Sequence, residues 1–397
     1  MTQQPWGQSG AQRPGSYQGG PGWPQQPGQA QGWQQPYGQQ PGWGHGQAPW
    51  PAQAPTQYQG QWPGQYPGRA PVQQYPGAPS QPPRKQGSPL KLLLLGLVAV
   101  VALGFFFISL KHYLDGGQDV VTPQPGSTLP PAVAPEDIPE PDYNPSDLPM
   151  PTTYAEAEQW LTDNPVYAQS VAVPTNCALT RVDAVNASVS ELEDHLNNLT
   201  GCLWVVWSPP LEAAGFEMPR PPVTVYNQPI TTGCGQLEDV NAVYCAGDQR
   251  VYYAKPLYKI FPADVARLPF MPDMVIGHEF GHAIQARTGI LISDLALEQK
   301  MDEDEATVMS RRAEQQADCF AGQFLQAVSQ ATGMSQDNLT NLKLIAANLG
   351  DDVLTGQPGY VGDHGSSAAR ERWFTKGLTE TSMGQCNTWT VPAGQVR

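Results

Sequence analysis

The first 88 residues contain no acidic side chain and few branched aliphatic ones, which confines any folded domain to the remainder of the chain. They are built mainly from Gln, Pro, Gly, Tyr and Trp. Such a stretch cannot bury enough apolar surface to offset its ordering entropy, so it is predicted to be disordered. Six of the eleven tryptophans lie here (Trp6, Trp23, Trp33, Trp43, Trp50 and Trp62), interleaved with five tyrosines. A solvated low-complexity tail is the plain reading. The functional one is a cytoplasmic segment that self-associates or recruits partners through aromatic contacts.

Residues 89–112 are expected to form a single transmembrane helix, because Leu92 to Leu110 carries no charge and is long enough to cross a bilayer core. It starts too deep in the chain for a conventional signal peptide. Arg84, Lys85 and Lys91 precede it and only Lys111 follows closely, which places the tail in the cytoplasm and the rest outside. Residues 113–152, rich in Pro, Asp and Glu, read as a semi-rigid spacer. Residues 153–397 are enough for one substantial domain.

Within that domain, His278-Glu279-Phe280-Gly281-His282 carries the chemistry. Residues four apart share a helix face, so both imidazoles can reach one ion with Glu279 beside them. Zinc peptidases use this arrangement, with the histidines on the metal and the glutamate as base. The plain alternative is a solvated helix with two incidental histidines. Against it, the chain has only six histidines, and the flanks suit a helix. It can start at Met271-Pro272-Asp273 and stop at Thr288-Gly289, with Ile276, Phe280, Ala283 and Ile284 as its apolar stripe. Gly281 weakens a helix, but is tolerable where another backbone packs closely.

A catalytic zinc ion needs a third protein ligand. Glu314 and Asp318 lie four apart in a second helical stretch, with Phe320, Phe324 and Val328 for its core face and small Ala317, Ala321 and Gly322 for close approach. Alone, an acidic pair is usually a solvated face. After the histidine helix, Glu314 becomes the candidate third ligand, and Asp318 the candidate acceptor for a ligating imidazole's other N–H.

These paired segments resemble the zincins that use Glu as third zinc ligand, the thermolysin-like branch. More closely, His-Glu-Phe-Gly-His followed by Glu-x-x-Ala-Asp-Cys-Phe-Ala-Gly is similar to the bacterial neutral zinc metallopeptidase family. Also similar are Cys234-Gly235 leading to Val243-Tyr244-Cys245, His364-Gly365-Ser366-Ser367 leading to Arg370-x-Arg372-Trp373-Phe374, and the late Cys386. The resemblance runs from about 175 to 390. It implies an α+β zincin-like fold, with His278, His282 and Glu314 on Zn²⁺ and Glu279 as base.

All six cysteines (Cys177, Cys202, Cys234, Cys245, Cys319 and Cys386) follow the apolar segment. An even count outside the cytoplasm suggests three disulfides, of fifteen possible connectivities. The preferred set is 177–202, 234–245 and 319–386, which joins near neighbours first and ties the terminal segment to the Glu314 helix. Net charge is +6 before Asp115 and −21 from there on, totalling −15, which disfavours nucleic-acid binding. A helix is expected from Ser188 to Leu203, and strands at Pro222–Tyr226 and Gln249–Ala254. The strand just before the zinc helix would offer its edge to an extended peptide. Asp302 to Glu305 reads as the acidic start of the Glu314 helix.

The expected function is therefore hydrolysis of peptide or protein substrates by a membrane-anchored zinc endopeptidase. His364, on a Gly-Asp-His-Gly loop, is the first candidate for a donor to the oxyanion, and Tyr360 the second. Arg370 and Arg372 are candidates for a substrate carboxylate or for structural pairing with acidic groups. The rival expectation is a non-catalytic binding or organising module of the cell envelope that keeps the zinc helix as scaffold.

Overall fold

Helix α3, Met271–Arg287, runs through the centre of the domain and is buried along almost its whole length. The computed structural model describes residues 128–237 and 240–397. The aromatic tail, the transmembrane segment and the first part of the spacer lie outside the described residues. Among the described residues no helix is long and apolar enough to cross a membrane.

Helices α1 (Tyr154–Thr162) and α2 (Val189–Ala213) come first, followed by strands β1 (Val223–Tyr226), β2 (Ile230–Thr232), β3 (Gly235–Leu237), β4 (Ala242–Cys245) and β5 (Arg250–Ala254). After α3 come α4 (Ile290–Glu298), α5 (Glu303–Thr332), α6 (Gln336–Asn348), α7 (Asp351–Leu354) and α8 (Ser367–Thr379). A small sheet beside packed helices is the expected α+β class. Strands β2 and β3 form a separate antiparallel ribbon, while the three-stranded sheet has the order β1-β5-β4.

Helix α2 starts as expected, with Ser188 and Glu191 closing a capping box. It runs ten residues past the expected Leu203, through Pro209 and Pro210. Trp207 and Leu211 are fully packed there, and this burial outweighs the backbone bonds that the prolines cannot make. The strand before the zinc helix is also placed differently. β5 is the middle strand, parallel to β1 and antiparallel to β4, so the edges are β1 and β4.

Helix α3 begins and ends within a residue of expectation, but it does not divide into an apolar and a polar face. His278 and Glu279 are each only 6 % exposed. The cause is α5, which crosses it closely: a Cβ on Gly281 would lie 2.8 Å from the Ala317 Cα. The close approach expected at Gly281 is therefore real, and it leaves no solvent face. Gly289, at φ 74, ends the helix in the left-handed conformation that glycine tolerates. Asp302 caps α5 through the Glu305 N–H, with three acidic residues in the first turn.

The later part of the expected spacer lies on the domain. Buried Arg287 donates to the Ser146 carbonyl at 2.9 Å, Arg220 to the Pro139 carbonyl at 2.9 Å, and the Asp142 N–H to the Arg220 carbonyl at 2.8 Å. Polar partners on the domain surface hold this Pro-rich segment in place. Disulfides join Cys177 to Cys202, Cys234 to Cys245 and Cys319 to Cys386, the preferred pairing. The third ties α5 to the C-terminal segment.

Candidate metal centre

Helical spacing on α3 brings His278 and His282 together, and their rings meet edge-on with centroids 4.8 Å apart. From α5, Glu314 reaches the same point. His278 Nε2 lies 3.2 Å from His282 Nε2 and 3.2 Å from Glu314 Oε2, and His282 Nε2 lies 3.4 Å from Glu314 Oε1.

The opposite nitrogens decide the protonation. His278 Nδ1 lies 2.9 Å from Asp318 Oδ1, and an ionised carboxylate only accepts, so Nδ1 carries the hydrogen. His282 Nδ1 lies 2.9 Å from Gln285 Oε1. The Gln285 amide must face that way, because its Nε2 donates to the Ala313 carbonyl at 2.8 Å and to Gln316 Oε1 at 3.1 Å. In the neutral rings both Nε2 atoms are therefore lone pairs directed at each other and at a carboxylate. Glu314 Oε2 is buried and makes no hydrogen bond. Three acceptors in van der Waals contact with no donor between them require a cation, and two imidazoles with one carboxylate suit Zn²⁺.

Titration behaviour agrees. Burial and Arg370 push the His278 imidazole down, but Asp318 and Glu314 outweigh them and lift it to about 9. Burial pushes Glu314 up, yet the two histidines hold it well below the usual carboxylate range. Without metal, the cluster gathers a proton instead.

Arg370, on α8, lies behind His278. Its Nε and Nη2 donate to the two Asp318 oxygens, each at 2.8 Å. His278 and Arg370 thus share Asp318 Oδ1, which explains the 3.2 Å between Nδ1 and Nη2. Of the two alternatives for Arg370, pairing with an acid is what the structure has, inside the site and not on the surface. Arg372 donates to the Gln395 carbonyl.

Glu279 points toward the sheet, where its Oε2 accepts the Tyr244 N–H at 2.7 Å. Tyr244 sits on β4, whose other neighbour is β5, so this N–H is one that β4 turns outward from its partner strand. Tyr244, His278, Glu279, His282, Glu314 and Arg370 line a cleft of about 450 Å³, and His364 and Tyr360 line it with them. Asp351 organises the His364 loop: its Oδ2 accepts the Gly362 and Gly365 N–H groups at 2.8 and 2.9 Å, and its Oδ1 faces His364 Nδ1 at 3.2 Å. Asp363 lies 3.1 Å from the same nitrogen. Burial opposes charge on this ring, but Asp351 and Asp363 hold it well above its ordinary value. These three could also gather an ion, yet the donors already on Asp351 suit a ring-positioning role.

His278, Glu279, His282, Glu314 and His364 thus line one cleft with Tyr360, and Asp318 lies buried behind His278. The sequence reading missed Gln285, Asp351 and the Tyr244 amide. Only Gln285 had a signal, since it stands three residues after His282 on the same helix face.

A His-Glu-x-x-His helix crossed by a Glu-x-x-x-Asp helix, over a cleft with a strand edge, is the arrangement of a zinc peptidase. The chain belongs to the family described as "Putative neutral zinc metallopeptidase", which it matches over residues 172–389. It is similar to the uncharacterized protein YpfJ of Escherichia coli K12, at 30 % identity over 213 residues covering 51 % of this chain and 74 % of that one. The uncharacterized proteins Mb2605 of Mycobacterium bovis and Rv2575 of Mycobacterium tuberculosis are each 28 % identical over 204 residues, covering 47 % of this chain and 67 % of theirs. No solved structure matches the chain.

Proposed function

We propose that this chain is a zinc-dependent endopeptidase, with His278, His282 and Glu314 as ligands and Glu279 as general base. The observation that carries this reading is the convergence of the two Nε2 atoms on the Glu314 carboxylate, with both Nδ1 atoms committed elsewhere. Zinc there would polarise the scissile carbonyl and acidify the attacking water.

The remaining work belongs to the chain's own groups. An extended substrate would lie along β4, a sheet edge that lines the cleft, using its outward backbone groups other than the Tyr244 N–H. Glu279 takes the proton of the attacking water and delivers it to the leaving amine. The Tyr244 N–H orients its carboxylate. Charged His364, held by Asp351 and Asp363, donates to the developing oxyanion. Asp318 and Gln285 keep the two ligating rings in the tautomer a metal needs.

The domain is proposed to work outside the cytoplasm, anchored by residues 89–112. Three disulfides and the excess of basic residues before the apolar segment support that placement.

The test is the purified full chain, assayed for zinc by elemental analysis and for cleavage of a peptide mixture. The expected result is one zinc per chain and cleavage that Glu279→Gln removes while zinc stays bound. Cleavage that survives Glu279→Gln would overturn the assignment of the base, and absence of stoichiometric zinc would overturn the ligand set.

A further inference from the structure

Helix α4 contributes a second acidic element to the same cleft, outside the groups just described. Asp294 and Glu298 stand one turn apart on it and both line the cleft. Asp294 is 2 % exposed, and its Oδ1 is buried without any hydrogen-bond partner among the described residues. Arg312 is the positive charge that acts on Asp294, but it donates instead to the Thr388 carbonyl. Burial, and then Glu298, hold the Asp294 carboxyl well above the usual carboxylate range. A buried carboxyl oxygen without a partner, on a side chain that lines a cleft, is arranged for a partner that arrives.

The surroundings define that partner. Leu291 and Leu295 line the cleft beside Asp294, so the approach to the carboxyl is apolar along the same helix. A lysine or arginine side chain has this form, an aliphatic stem ending in a charged donor. Position along the cleft is fixed by Ser310, whose Oγ donates to Glu298 Oε1 at 3.1 Å. Ser310 precedes Glu314 by one turn of α5, about 6 Å along the axis. An extended peptide advances about 3.3 Å per residue, so the acidic pair falls within reach of a residue flanking the bond at Glu314.

We propose that Asp294, with Glu298 beside it, forms a subsite for a lysine or arginine side chain next to the scissile bond. The subsite rests on the peptidase reading, since it takes the bond to be cut as lying at the His278, His282 and Glu314 cluster. A basic side chain meets the Asp294 carboxylate as a charged donor. An acidic side chain is rejected by both carboxyls, and an apolar one leaves Asp294 without a partner.

The test uses the zinc-loaded full chain carrying Glu279→Gln, so that binding is read without turnover. Three otherwise identical peptides carry norleucine at both positions flanking the central bond, or lysine in place of one or the other. Calorimetry is expected to show one lysine peptide binding at least about tenfold tighter than the norleucine peptide. Adding Asp294→Asn should bring the two affinities together. Equal affinities without Asp294→Asn, or no binding of any peptide, overturn the subsite. Should the Asp294→Asn chain fail to fold, the cleavage profile of the wild-type chain on a random peptide mixture replaces it. Lysine and arginine are expected beside the cut, and a flat or acidic profile overturns the subsite. A chain that cleaves no peptide yet keeps the lysine preference in binding defeats the peptidase reading and leaves the subsite standing.

Discussion

His278 and His364 are both imidazoles whose Nδ1 meets a carboxylate, on opposite walls of one cleft. The His278 side chain is 7 % exposed and its partner Asp318 fully buried, whereas the His364 side chain is 41 % exposed. On the first wall two long helices and α8 hold the groups, and Asp318 serves both His278 and Arg370. On the second, one aspartate gathers a loop, and water can reach the ring. Loss of a group that holds the metal ligands should therefore act through folding and metal, and loss of the His364 ring through chemistry alone.

The largest expected effect is that of Asp318→Ala. It leaves Arg370 charged, buried and without its bidentate partner, which costs about 3–5 kcal/mol. The thermal midpoint should fall by roughly 10 °C for a domain of this size. Zinc affinity should also drop by about 10–100-fold, because His278 loses the acceptor that sets its tautomer. Melting and zinc retention after dialysis measure both. A variant that melts with the wild type and keeps its zinc would show that the two walls do not differ in this way.

His364→Ala sharpens the comparison from the other side. If the ring donates to the oxyanion, kcat should fall by about 10²–10³. Zinc content and melting should stay close to the wild type, since the exposed ring contributes little to packing. The pH profile gives a finer reading. The pKa of His364 is raised, so the ring is charged at neutral pH and loses its proton only as pH climbs through that raised value. Activity should thus be retained on the acid side of that step and lost on the alkaline side. Asp351→Asn removes a carboxylate that supports the charge on the ring, and should move the alkaline limb to lower pH. An unmoved limb would take His364 out of the chemistry.

The same contrast explains what could be read in the sequence. The spacing of His278, Glu279 and His282, and of Glu314 and Asp318, is local helix geometry joined to metal-ligand chemistry, so it was legible. Arg370 was not assignable, because its partner lies 52 residues away and an arginine is more often on the surface. Strand β4 has four residues and no alternating pattern, so only its pairing with β5 reveals it. Asp351 begins a helix of four residues, too short to leave a periodic signal. The helix expected to end at Leu203 continues because the packing of Trp207 and Leu211 carries α2 through Pro209 and Pro210. What was missed depends on partners distant in sequence, or on burial that overrides local preference.

The smallest effect belongs to Gln285, and it separates two ways of holding a ligand on the helical wall. Asp318 presents a full charge to His278, whereas Gln285 presents a neutral carbonyl to His282 and uses its N–H groups to bind Ala313 and Gln316. A neutral acceptor fixes the ring's orientation but raises its basicity less. Gln285→Leu should therefore lower zinc affinity by about tenfold, at the weak end of such effects, as read by competition with a chelator. It should also destabilise by about 1–3 kcal/mol, because the Ala313 carbonyl and the Gln316 amide oxygen lose a buried donor. Gln285→Glu tests the reasoning more sharply. An ionised carboxylate would improve the partner for His282 but would face those two acceptors with no hydrogen to offer. The variant should thus be less stable than the wild type at neutral pH and recover in acid, where the carboxyl protonates and donates again. A Gln285→Glu chain as stable as the wild type at neutral pH would show that His282 is held by charge, as His278 is, and the distinction between the two rings would fall.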